Sequence, residues 1–142
     1  MSPSIDRGLL PTAALGPRPL NRLWQWLEQR LITKMALVQH PYYGYDYQPI
    51  AWGRWGEVLI LHWPCGIGSQ PHCHQHAFNL TQVLSGRLLE RKYRLTGGQL
   101  QVVSERVLQA GQWSWTLPFQ IHELVCLEPS RSLHLYFPGR SQ

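Results

Sequence analysis

From Glu57 to Phe137 the chain is a succession of short strand-like runs, and that rhythm leaves few folds open. EVLILHW (57–63) is rich in β-formers, and FNLTQVLSG (78–86), GRLLERKYRLT (86–96) and QLQVVSERVL (99–108) follow it. Gln112–Leu117, Ile121–Leu127 and Ser132–Phe137 each alternate apolar and polar residues. Gly97–Gly98 is a hairpin turn signal between two such runs. Strands of this length, with turn signals every eight to twelve residues, predict an all-β sandwich or barrel. The only helical pattern comes earlier: Leu20, Leu23, Trp24, Leu27 and Leu31 recur at three- and four-residue steps, predicting a helix over 20–36 whose apolar stripe packs on the outside of the sheet. Residues 1–18 carry Pro3, Pro11, Pro17, Gly8 and Gly16, which predicts an extended or disordered leader before a single domain over 19–142.

The 142 residues are enough to bury a sizeable core, and a charged fraction of only 15% argues against disorder. The net charge of +5 comes as much from having 8 acids as from the 13 Lys and Arg, which are scattered apart from Arg87, Arg91, Lys92 and Arg94. No recognition motif accompanies that charge, so nucleic acid is not expected as a partner. No apolar stretch approaches a membrane span, and the apolar run 9–15 is broken by Pro11 and Thr12, so neither a membrane anchor nor a secretory leader is expected. Three cysteines, Cys65, Cys73 and Cys126, fit free thiols in a reducing cytoplasm. The oligomeric state is not legible.

Residues 40–55, HPYYGYDYQPIAWGRW, form an aromatic segment broken by two prolines and two glycines. It reads equally as a loop plugging one end of a barrel or as the wall of a substrate pocket.

Two places carry chemistry. The first is His72-Cys73-His74: on a strand, side chains at i and i+2 share a face, so both imidazoles could serve one metal. The spacing alone is weak, since a chain with 7 His in 142 residues gives roughly a third of one such pair by chance. A third ligand must come from elsewhere, with His62, His76, His122 and His134 as candidates. His76 continues the series but diverges along the strand, whereas His122 lies strands away where a barrel would bring it back, and is favoured. Cys73, between the two ligands, points to the opposite face and reads as packing. The second place is Ser132-Leu133-His134-Leu135-Tyr136, whose polar residues share one strand face. Buried side by side they must bond to each other: Ser132 to one nitrogen of His134 and the Tyr136 hydroxyl to the other. An alternating strand with its polar face in water is the plainer alternative.

WPCGIGSQPHCH, VLSG with LLERKY, and SLHLY together resemble the cysteine dioxygenase family of thiol dioxygenases, which have the cupin fold. The first cupin motif runs without a gap through Gly66, His72, His74, Asn79 and Gly86; the third family histidine falls on His122, the serine–histidine–tyrosine relay on Ser132, His134 and Tyr136, and a family tryptophan on Trp63. The resemblance covers about residues 40–138. It implies a cupin jelly-roll β-barrel holding a mononuclear non-haem Fe(II) on His72, His74 and His122. It also implies a small thiol and O2 as partners and a sulfinate as product, with Tyr136 steering the bound oxygen or substrate. Asn79, Trp63 and Arg54 would line the substrate pocket. Three features depart from the family. Asn79 stands where some members carry a cysteine crosslinked to the relay tyrosine. Asp46 aligns with the arginine that binds the substrate carboxylate, so an acid would repel one; Arg54 could replace that arginine only in a shifted register. Gln120 replaces a glycine two before His122. Two other functions stay open: a non-catalytic cupin sensing a metal or small molecule, and a cupin isomerase or decarboxylase using another metal, since imidazole suits several.

Overall fold

The computed structural model describes residues 36–40 and 43–138, with residues 22, 26, 29 and 30 of the N-terminal stretch. The chain divides into two compact units, Met1–Thr33 and Lys34–Gln142. In the first, Arg22, Trp26, Gln29 and Arg30 are helical. The rest of the helix expected over 20–36, its packing on the sheet, and the leader over 1–18 lie outside the described residues.

The second unit is all strand: β1 (Val38–Gln39), β2 (Asp46–Gly53), β3 (Gly56–Trp63), β4 (Phe78–Thr96), β5 (Gln99–Gln109), β6 (Trp113–Thr116) and β7 (Ile121–Phe137). All pairings are antiparallel, in the order β1-β2-β3-β7-β4-β5, with β6 also on β4. The expected barrel is therefore corrected to a jelly-roll-like sheet that does not close among the described residues: β1 pairs only with β2 and β5 only with β4. The β4–β5 hairpin turns on Gly97 and Gly98, both at positive φ, which the two-residue primed turn requires.

Two long strands replace four expected short ones, because β4 and β7 bend rather than stop. Their pairing slips between Val83 and Leu88, where Gly86 adopts φ +76° opposite Pro129–Ser130. A Cβ on Gly86 would sit 2.5 Å from the Pro129 carbonyl oxygen and closer still to the Ser130 hydroxyl, so glycine alone fits this crossing. On one side of the bend, β4 lies between β6 and the end of β7; on the other, between β5 and the start of β7. Inner faces from both sides of the bend supply one core, including Leu59, Leu61, Trp63, Val83, Leu88, Leu108, Leu124 and Tyr136.

The aromatic segment is only partly a loop. From Asp46 it becomes β2 despite Pro49, with the register slipping between Pro49 and Ala51 to absorb the missing donor. Tyr45 and Tyr47 pack against the core. No helix among the described residues is long and apolar enough to cross a membrane.

Candidate metal centre

His72 and His74 do not lie on a strand. Pro64, Gly66, Gly68 and Pro71 break the pattern, and residues 64–77 form a loop between β3 and β4. What fixes the pair is the far edge of β7. Ser69 N–H donates to the Leu124 carbonyl at 2.9 Å, while His72 and His122 exchange both backbone hydrogen bonds, at 2.9 and 2.8 Å. A residue pair that exchanges both bonds is directly opposed, so the backbone sets His122 against His72 before any side-chain contact.

The ring centroids of His72 and His122 are 4.6 Å apart, those of His72 and His74 4.9 Å, and those of His74 and His122 5.2 Å. Their ligand atoms all lie within 4.8 Å of one another, and His74 Nε2 is 3.1 Å from His122 Nε2. The outer nitrogens of His72 and His122 are held by protein. His72 Nδ1 lies 2.9 Å from the Gln70 carbonyl oxygen; a carbonyl only accepts, so Nδ1 carries a proton and in the neutral ring Nε2 keeps its lone pair. His122 Nδ1 is 3.1 Å from the Thr116 hydroxyl, which fixes the same tautomer when the imidazole donates. Burial, and then the neighbouring His72 and His74 imidazoles, push the His122 pKa down to about 2, so this ring is neutral. Three imidazoles with converging ring nitrogens, His122 among them held neutral, fit a divalent transition metal.

The relay residues are buried beside the trio, in a longer chain than expected. Trp63 Nε1–H donates to Ser132 Oγ at 2.8 Å, and Ser132 Oγ is 2.8 Å from His134 Nε2. Thr81 donates its only hydroxyl proton to Asn79 Oδ1 at 3.0 Å, so at 3.2 Å it accepts from His134 Nδ1. With that nitrogen protonated, Nε2 accepts from Ser132. Every bond then points one way: Trp63 to Ser132 to His134 to Thr81 to Asn79. The sequence assigned the second His134 nitrogen to Tyr136; the structure sets Thr81 there. Tyr136 lies between the two clusters, its ring 6.2 Å from His134 in a stacked geometry and 4.9 Å from His74 edge-on.

The other candidates lie apart from the trio. His76 is exposed and packs edge-on against Phe119 at 5.6 Å. His62 bonds Gln48 Oε1 at 2.8 Å. Arg54 occupies the exposed two-residue turn between β2 and β3, its guanidinium 4.5 Å over the Trp55 ring. Cys73 is exposed. Asp46, expected as a repulsive acid, lies opposite His62 in the β2–β3 register, and both line a 310 Å3 cleft with Trp63, Pro64, Ser85 and Arg131. Strand alternation puts it on the face opposite Tyr47 and the core. The aromatic segment instead presents rings to the trio: His40 lies 4.7 Å from both Tyr43 and Tyr45, Tyr45 lies 4.6 Å from Trp63, and Tyr43 lies 6.4 Å from His72.

Sequence reasoning missed Thr81, Thr116 and Gln70. Thr81 is two residues after Asn79 on the same strand face, and Thr116 is an inward position of the alternating QWSWTL, so both carried a legible signal. Gln70 contributes only a backbone carbonyl and carried none.

The fold and the three-histidine donor set define a cupin able to hold a metal ion. A family model described as cysteine dioxygenase type I matches residues 34–142, and the chain belongs to that family. No curated protein matches. Among solved structures, KdgF from a Halomonas species is similar at a TM-score of 0.64 and 20% identity, over 77% of this chain and 91% of that one. An RmlC-like cupin from Shewanella frigidimarina has a TM-score of 0.62 at 17% identity, over 77% of this chain and 88% of its own. A predicted oxalate decarboxylase from Thermotoga maritima has 0.62 at 11%, over 75% and 95%. These three likenesses show the cupin fold.

Proposed function

We propose that this protein is a thiol dioxygenase that uses non-haem iron(II) to oxidise a small thiol with O2 to the sulfinate, in a reducing cytoplasm. The supporting observation is the donor set: His72, His74 and His122 meet with no carboxylate in the group, in a member of the cysteine dioxygenase family. Iron(II) held there would supply the electron-transfer chemistry that O2, with two unpaired electrons, needs to react with a closed-shell thiolate. The three histidines are neutral donors and leave the metal's charge uncompensated, so an anionic thiolate is the matching partner.

The remaining residues bind and orient. His40, Tyr43 and Tyr45 wall the approach to His72 with rings that keep water from the thiol's carbon chain. Tyr136 offers a phenol beside His74 that holds a proton next to the reacting atoms. The chain from Trp63 to Asn79 locks His134, on which the Tyr136 ring stacks. Asp46 on the outer face leaves carboxylate-bearing thiols admissible.

Oxygen uptake by iron(II)-loaded protein across L-cysteine, 3-mercaptopropionate, cysteamine and mercaptosuccinate tests the proposal, with mass spectrometry of the products. Uptake with a product two oxygen atoms heavier than the thiol is expected. Protein that holds one iron and consumes no oxygen with any of them would sink it. Tyr136→Phe should lose most turnover while keeping its iron; a sensing cupin would keep its ligand affinity instead.

A further inference from the structure

Two cysteines meet at the foot of the loop that carries His72 and His74. Residues Pro64–Ile67 form a turn closed by Ile67 N–H donating to the Pro64 carbonyl at 3.2 Å, with Cys65 second and Gly66 third at φ +80°. A type II turn needs glycine at that third position. The turn docks on β7 through Cys126: Gly66 N–H donates to the Cys126 carbonyl at 3.0 Å, and Cys126 N–H to the Ile67 carbonyl at 2.8 Å. Two residues thus oppose one, a bulge that brings the turn close against the strand.

The two thiols reach across this seam in opposite directions. Cys65 Sγ is 3.4 Å from the carbonyl oxygen of Leu127, the residue after Cys126. Cys126 Sγ is 3.4 Å from the carbonyl oxygen of Trp63, two residues before Cys65. Each sulfur therefore lies over backbone within two residues of its counterpart, and bridging them requires both side chains to turn toward each other across the seam. Cys65 is exposed and Cys126 buried, so one thiol is open to a dissolved oxidant and the other waits behind it.

We propose that Cys65 and Cys126 are a peroxide-responsive pair that forms a reversible disulfide. The Cys65 thiolate attacks a peroxide oxygen; an S–O bond forms, the O–O bond breaks, and hydroxide leaves and takes up a proton as water. The Cys126 sulfur gives up its proton and attacks the Cys65 sulfur; the S–S bond forms and the S–O bond breaks, releasing a second water. Two thiols are oxidised by two electrons and one hydrogen peroxide is reduced. Burial holds the Cys126 thiol above its ordinary pKa, and its S–H points at the Glu128 carbonyl at 2.8 Å. Both hold back the second step, which speeds up as pH rises. The bridge fastens the start of the metal-ligand loop to the strand that carries His122, four residues before Cys126. The inference depends on neither the metal nor the proposed reaction.

The test treats the full-length protein with one equivalent of hydrogen peroxide, blocks remaining thiols, digests with trypsin and runs non-reducing mass spectrometry. The expected product joins peptides 55–87 and 107–131, is two hydrogens lighter than their sum, and disappears with dithiothreitol. Cys65 and Cys73 share the first peptide, so fragment ions must place the bridge on Cys65. Cys65→Ser, an exposed turn position, should lose the linked species. In wild type at low pH, a dimedone probe should mark Cys65 and spare Cys126. Absence of the linked species, a bridge through Cys73, or its persistence in Cys65→Ser would overturn the proposal.

Discussion

Two polar clusters lie side by side, one between a loop and β7 and the other on the inner face of the sheet, and they are built on opposite plans. In the trio, the outer nitrogens of His72 and His122 are tied to protein and the inner ones turn toward each other, within 4.8 Å. In the Trp63–Ser132–His134–Thr81–Asn79 chain, each donor meets an acceptor and the bonds run one way. Converging lone pairs suit a cation; a saturated chain suits a scaffold. A cluster's chemistry thus follows from where its lone pairs point, even where both clusters contain the same residue type at the same depth.

The largest effect should separate the two plans. His122→Ala removes a donor that the backbone places opposite His72, and it should abolish metal binding by elemental analysis and calorimetry. His76→Ala, on an exposed ring against Phe119, should leave the metal content unchanged. Equal loss from both would break the assignment of the trio.

Acid should act on the trio next. In the metal-free protein His122 titrates near 2, against 6.5 when unfolded. Below 6.5 the unfolded chain takes up a proton that the folded one refuses, so stability falls as pH drops toward 2. The slope is about 1.4 kcal/mol per pH unit, or roughly 2.7 kcal/mol by pH 4.5. Urea melts at several pH values, with and without His122→Asn, measure it; an identical slope in the variant would show that other groups carry the acid response.

The saturated chain should answer differently. Ser132→Ala deprives both Trp63 N–H and His134 Nε2 of a buried partner and should cost about 1–3 kcal/mol. Thr81→Val should cost about 1 kcal/mol and free the far side of His134. Neither should change metal stoichiometry, and nitrogen NMR of His134 should show its tautomer preference weakened. If either variant loses the metal, the two clusters are one unit and the comparison fails.

What was legible in the sequence follows the same division. The histidine spacing, the glycine frame and the SLHLY alternation were readable because each is a local pattern. The bend of β4 and β7 was not, because it depends on Gly86 meeting Pro129–Ser130, residues more than forty apart. For the same reason the runs 78–86 and 86–96 read as two strands rather than one. The pair His72 and His74 was found for an incorrect local reason: no strand carries them, and backbone bonds to β7 do the placing. Thr81 escaped because a lone threonine in a strand is unremarkable until its partner across the sheet is known to be His134.

The smallest effect concerns Asp46, where sequence alignment and strand alternation disagree. Were its carboxylate to face the substrate, a carboxylate-bearing thiol at about 4 Å would be repelled by roughly 1–4 kcal/mol, and Asp46→Asn would lower KM by about fivefold or more. On the opposite face, beside His62 and Arg131, it is on the order of a sheet spacing away, about 10 Å, and half-exposed to water. In that setting the repulsion is about 0.4 kcal/mol before salt screening, or about twofold. KM for 3-mercaptopropionate and for cysteamine, compared in wild type and Asp46→Asn at two ionic strengths, separates the cases. A change of no more than about twofold, shrinking with salt, is the expected result. A gain of about fivefold or more confined to 3-mercaptopropionate would mean that β2 presents Asp46 inward and that the register of Tyr45 and Tyr47 must be revised with it.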